Sequence, residues 1–191
     1  MRPPLFAIDL GYDLIRTAFA RPDGSVHEGP TALPDQSLEA LLEKAQEQIG
    51  LDFREIVLAL PLDSPRPQTE FTVVRHLFRP LAALEACPGL GPCVVVIEAH
   101  PQGWTQTRWQ EDDGIWEHDL SLQPPNHILV VGGPPCRLTA QHINEFTAPI
   151  HFPHRPEWTV VHGAALFARR LCGTRLSCPM RGDFPRPGNL G

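Results

Sequence analysis

Two strand-to-glycine corners, set far apart in the chain, most constrain what it can fold into. The first is the apolar run Leu5-Phe6-Ala7-Ile8, which ends in Asp9-Leu10-Gly11 and turns at Gly11-Tyr12-Asp13. The second is His127-Ile128-Leu129-Val130-Val131, which runs into Gly132-Gly133-Pro134-Pro135 with a helix pattern soon after. A short apolar run closed by glycine reads as a buried strand whose end leaves room for backbone or ligand to approach. Two such corners at opposite ends of one chain predict a cleft built from two halves.

The segments between them alternate in type. Residues 5–10, 14–20 and 25–32 read as strands, the last two joined by the turn Pro22-Asp23-Gly24-Ser25. Asp35 or Ser37 is placed to cap a helix over 37–49, with Leu38, Leu41, Leu42, Ala45 and Ile49 on one face and Gly50 as its stop. Residues 55–60 form a buried strand ended by Pro61, and residues 70–86 read as a helix bent or broken at Pro80. Cys93 to Ile97 is another apolar strand. Residues 104–109 and 115–120 flank Asp112-Asp113-Gly114 as a hairpin. A strand at 127–131, a helix near 137–147, a short extended piece at 149–152 and a last helix over 157–171 complete the pattern. No sequence repeat is visible, but an architectural one is: strand, turn, strand, then helix and strand, early and again late. The chain is therefore α/β.

Composition narrows the classes of partner. With 191 residues and 42% hydrophobic content, the chain is one large domain or two small interdependent lobes with a packed core. Its net charge is -6 and its basic residues are scattered, so nucleic acid is not expected as a partner. No apolar stretch approaches the ~20 residues of a membrane span. Met1-Arg2-Pro3-Pro4 leads straight into a strand without the pattern of a secretory signal. Cys87, Cys93, Cys136, Cys172 and Cys178 are odd in number and lack a close C-x-x-C pair, so reduced thiols and a cytoplasmic location are expected.

Three segments, in order, resemble the actin/Hsp70/sugar-kinase superfamily, above all its Hsp70-like and plasmid-segregation actin-like branches. Ala7-Ile8-Asp9-Leu10-Gly11-Tyr12-Asp13-Leu14-Ile15-Arg16-Thr17 resembles the first phosphate loop. Ile128 to Pro134 resembles the adenosine motif. Pro156-Glu157-Trp158-Thr159-Val160-Val161-His162-Gly163-Ala164-Ala165 resembles the closing helix motif. The resemblance implies RNase H-like, actin-like mixed sheets flanked by helices. The short loops between Pro61 and Thr69 and between Leu120 and His127 imply a minimal two-lobe form without the usual extra subdomains. The first lobe would span 1–92, a reduced second lobe 93–171, and a Pro/Gly-rich tail 172–191.

The same resemblance implies ATP or ADP with magnesium. Asp9 would hold Mg²⁺ through water, and Gly11, Tyr12 and Asp13 would lie at the phosphates. Gly132, Gly133 and Pro134 would lie at the base or ribose, and Gly163 would let the closing helix approach closely. The family's second phosphate loop, D-x-G-x-x-T, has its nearest counterpart in Val94 to Gly103. There Glu98 replaces the acid and the glycines are displaced. This segment is either a degenerate second loop, with Glu98 as a second metal ligand, or the last strand of the first lobe. Glu98 also reads as a structural carboxylate.

Three functions follow. The first is a small actin/Hsp70-like protein that binds nucleotide weakly or acts as a non-hydrolysing adaptor through a protein partner. The second is an ATPase completed by self-assembly. The third is an RNase H-like, resolvase-type nuclease using Asp9 and Glu98. His151 and His154 lack a third ligand and read as surface or packing residues. Trp104 and Trp116 are expected to face the core from the hairpin that also carries Trp109, and Arg169-Arg170 to offset the dipole at the end of the last helix.

Overall fold

A computed structural model describes residues 5–119, 124–132 and 147–174 of the chain. Strands β1 (Phe6–Leu10), β2 (Ile15–Ala20) and β3 (Val26–Ala32) form an antiparallel meander. Helix α1 (Leu38–Ile49) then leads to β4 (Glu55–Leu60), parallel to β1, and to β5 (Thr72–Phe78), parallel to β4. Helix α2 (Arg79–Ala86) follows. The second sheet holds β6 (Cys93–His100), β7 (Gly103–Asp112), β8 (Ile115–His118), β9 (His127–Gly132) and β10 (Ile150–His151). Helix α3 (Thr159–Thr174) is the last described element.

The strand orders are β3-β2-β1-β4-β5 and β8-β7-β6-β9-β10. Counted within its own sheet, each runs third, second, first, fourth, fifth, with the second strand antiparallel to the first and the fourth parallel to it. The strand part of the architectural repeat is therefore present in both sheets. It also decides the place of Val94 to Gly103: this segment opens the second sheet and turns back into β7, as β1 turns back into β2.

Alternation along the strands explains the layers. Phe6 and Ile8 of β1 join Leu38, Leu41, Leu42 and Ala45 of α1 in one core, where Phe6 stacks on Phe53. Leu5 and Ala7 face the opposite way. They meet Ala82 and Ala83 of α2, Val160, Val161, Ala164 and Ala165 of α3, and Val94, Val96, Leu129 and Val131 of the second sheet. The order of layers is α1, first sheet, the pair α2 and α3, second sheet. Helix α3, late in the chain, lies against β1, β2 and β4 of the first sheet.

Local signals account for most boundaries. Ser37 caps α1 by accepting from the Ala40 N–H, and Gly50 ends it in the left-handed region at φ 65°. The expected helix over 70–86 is corrected: residues 72–78 are strand and only 79–86 are helix. Thr72, Val73 and Val74 are consecutive β-branched residues, and parallel pairing with β4 satisfies their backbone. Pro80 does not bend a helix; it sits in the first turn of α2, where its missing N–H costs nothing.

The tryptophan expectation is corrected in part. The two-residue turn pairs Asp112 with Ile115, so Trp109 and Trp116 share the inner face and Trp104 falls on the outer one. Trp109 is 3% exposed, Trp116 packs on the core, and Trp104 is 36% exposed. Arg169 and Arg170 are also placed differently from expectation. The helix continues to Thr174, so they precede its last turn; Arg169 donates to the Pro22 carbonyl and Arg170 pairs with Glu85. The helix expected near 137–147 lies outside the described residues except for Thr147, which is not helical. Of the expected tail, residues from 175 onward lie outside them too. Among the described residues no helix is long and apolar enough to cross a membrane.

Candidate functional site

The inner row of β1 ends in an acid, and that of β6 carries one just before its last residue. Leu5, just before β1, and Ala7 and Asp9 within it alternate, as Val94, Val96 and Glu98 do along β6. Asp9 pairs across its hairpin with Arg16, and Glu98 pairs across its own with Thr105. In both cases the partner is seven residues further on. The hairpins thus match in register, and the acids are topological equivalents. The fold brings them to one point.

Arg79, the first residue of α2, stands between them. Its Nη1 donates to Asp9 Oδ1 at 2.5 Å and its Nε donates to Glu98 Oε1 at 2.7 Å. The side chains of Asp9, Arg79 and Glu98 are 0, 3 and 4% exposed. One guanidinium therefore bonds one carboxylate from each sheet, in the core between them. The Tyr12 ring lies 5.2 Å from the guanidinium carbon and 4.5 Å from the ring of His100. Tyr12 belongs to the first hairpin and His100 to the second, so the two hairpins touch.

The other expected residues fall around this centre. Gly11 is where both arginines crowd the backbone: a Cβ there would lie 2.5 Å from the Leu14 carbonyl oxygen, 3.0 Å from Arg79 Nη1 and 3.2 Å from Arg16 Nη1. Asp13 accepts from both Nη groups of Arg16, at 3.0 and 2.9 Å. Burial pushes the Asp13 carboxyl up, but Arg16 and the Leu14 N–H outweigh it and hold the group below the ordinary range. Gly132 ends β9 at φ 111°, packed on the backbone of Ala99, and its N–H donates to the Pro156 carbonyl at 2.9 Å. Gly133 and Pro134 lie outside the described residues. Gly163 sits in α3, pressed on Ala82 of α2.

Sequence reasoning passed over Arg79, Arg16 and His100. Arg16 carried a legible signal: it is the one charge in the apolar strand read over 14–20, just after the turn that follows Asp9, and the structure sets it directly opposite Asp9. Arg79 carried none, because the helix expected over 70–86 placed it mid-helix.

Burial raises the Asp9 carboxyl from 3.8 to about 6, against the pull of Arg79 and Arg16. Among the described residues its Oδ2 has no hydrogen-bond partner, so only one of its oxygens is compensated. A folded-state pKa above the unfolded one gives stability that is whole below the unfolded value and lost as pH rises through the folded value. Relative to Asp9→Asn, the native protein is expected to lose about 3 kcal/mol between the ordinary carboxylate pKa and about pH 6. Urea denaturation of both proteins across that range measures it. A constant difference would mean that folding does not raise the Asp9 carboxyl.

The residues do not fit a divalent ion as they stand. Magnesium takes oxygen ligands in near-octahedral array. Here each carboxylate already gives an oxygen to Arg79, whose charge lies between them. Among the described residues no group of three or more His, Cys, Asp or Glu is placed to hold a metal.

Two sheets of one strand order, layered about a central helix pair, define a minimal two-lobe, actin-like α/β fold. Solved structures of the same fold cover most of the chain. The ethanolamine utilization protein EutJ from Carboxydothermus hydrogenoformans matches with a TM-score of 0.57 at 11% identity, over 87% of this chain and 90% of that one. The activator of the 2-hydroxyisocaproyl-CoA dehydratase from Clostridium difficile, with bound ADPNP, matches at 0.55 and 10%, over 93% and 99%. YeaZ from Pseudomonas aeruginosa matches at 0.53 and 10%, over 90% and 94%. No family model and no curated protein matches the sequence.

Proposed function

We propose that this protein is a small actin-like adaptor that acts through a protein partner and does not hydrolyse nucleotide. The observation that carries the reading is the contact of Tyr12 with His100 across the two hairpins. Phosphoryl transfer needs donors and a positioned water around the γ-phosphate, held by loops on both sides. The ring contact, with centroids 4.5 Å apart, supports a reading in which these loops close on each other rather than on a phosphate chain. Asp9 and Glu98, the acids that the nuclease or ATPase readings would use, are both bonded to Arg79. A structural neighbour that is an activator of a separate enzyme supports work through a partner. On this chain Trp104 and Ile115, exposed on the outer face of the β7–β8 hairpin, supply apolar surface for such contact.

Thermal unfolding with and without millimolar Mg-ATP tests the reading, with phosphate release measured alongside. A site filled at a hundred times its dissociation constant adds about 2.7 kcal/mol. The adaptor is expected to show no such gain and only background release. A rise in melting temperature would show a nucleotide site, and release that climbs faster than protein concentration would favour a self-assembling ATPase.

A further inference from the structure

The hairpins supply one acid each, and the chain supplies its own counter-charge. Arg79 uses two separate edges of its guanidinium, Nε toward Glu98 and Nη1 toward Asp9. A planar fork can hold two acids in two directions at once, whereas an ammonium is a single point of charge. The Tyr12 ring close to the guanidinium adds an aromatic contact that a hydrated metal ion would not keep. Arg79 is also rooted where β5 passes into α2, and α2 packs along α3. Its position is therefore set by the core and does not depend on a ligand.

We propose that Arg79 is a built-in cation that takes the place of a divalent ion between the two lobes and holds them together without metal. Asp9 Oδ2, buried with no hydrogen bond among the described residues, marks what this substitution leaves unsatisfied: Arg79 reaches only one oxygen of Asp9. The inference builds on the non-hydrolysing reading but can fail separately, because it concerns the metal alone.

Mn²⁺ is the probe, followed by electron paramagnetic resonance and thermal unfolding, with nucleotide left out. The native protein is expected to bind no Mn²⁺ at the hairpins and to melt identically in Mn²⁺ and in chelator. Arg79→Met removes the cation and frees both acids; it is expected to bind Mn²⁺ about tenfold or more tighter than the native protein and to melt higher with the ion. Adding Asp9→Asn to that variant is expected to abolish the gain. Stoichiometric Mn²⁺ on the native protein that is lost in Asp9→Asn, or an Arg79→Met protein indifferent to the ion, would overturn the proposal. Should Arg79→Met be too unstable to isolate, Arg79→Lys decides the matter. It retains the charge, so it is expected to take no Mn²⁺, and an ion bound there would overturn the proposal equally.

Discussion

Gly163→Ala is expected to destabilise the protein by about 3 kcal/mol or more, the upper part of the usual range for overpacking a core. At an exposed helical site the same change would stabilise by about 1 kcal/mol, because alanine is the better helix former. The sign reverses here because α2 and α3 cross backbone to backbone. A Cβ at 163 would overlap the Ala82 carbonyl oxygen, and would lie 2.7 Å from the Ala82 carbonyl carbon and 3.0 Å from the Ala86 nitrogen. Backbone cannot rotate aside as a side chain can, so the helices must separate. That would loosen a seam built from Ala82, Ala83, Ala164, Ala165 and Ala168, all fully buried. For a chain of this size the melting temperature should fall by about 6–12 °C. A melting temperature equal to or above that of the native protein would show that the helices do not meet at Gly163.

Arg79→Met, without added metal and near neutral pH, is expected to destabilise by about 3–5 kcal/mol, the usual result of removing one partner from a buried ion pair. Methionine restores much of the volume, so the loss comes from Asp9 and Glu98, which keep their burial and lose the guanidinium that bonds both. The cost should shrink in acid. Burial already raises Asp9 to about 6 with Arg79 beside it, and removing the guanidinium raises it further. A carboxyl raised in the folded state favours folding at low pH and opposes it as pH rises, so the deficit is largest near neutrality and smallest near pH ~4. Paired urea denaturation curves at the two pH values give the comparison. A deficit independent of pH would assign the loss to packing rather than charge.

Much of the architecture was legible in the chain because it rests on short-range physics. Short apolar runs mark β1, β6 and β9, with glycine corners closing β1 and β9, and the Ser37 cap and Gly50 stop mark α1. Where periodicity misleads, it does so for a stated cause. Thr72 to Phe78 carries apolar residues that suit either a helix face or a half-buried strand, and parallel pairing with β4 decided for the strand. The faces of Trp104 and Trp116 depended on the register of one two-residue turn, which the residue types alone do not set.

The candidate site divides along the same line. Asp9, Gly11, Tyr12 and Glu98 stand out in the sequence because each breaks an apolar run or follows it directly. Their joining through Arg79 does not stand out, because Arg79 is 70 residues from Asp9 and 19 from Glu98 in the chain. By itself the sequence determined most of the strands, the first helix and the two acids near strand ends, since these follow from local propensity and short apolar runs bounded by turn residues. The early and late repeat of strand, turn and strand was legible too, but tertiary structure alone decided the strand order within each sheet, that Tyr12 meets His100, and that a guanidinium sits between the acids. Those contacts join distant segments, and their energies arise only when packing removes the charges from water.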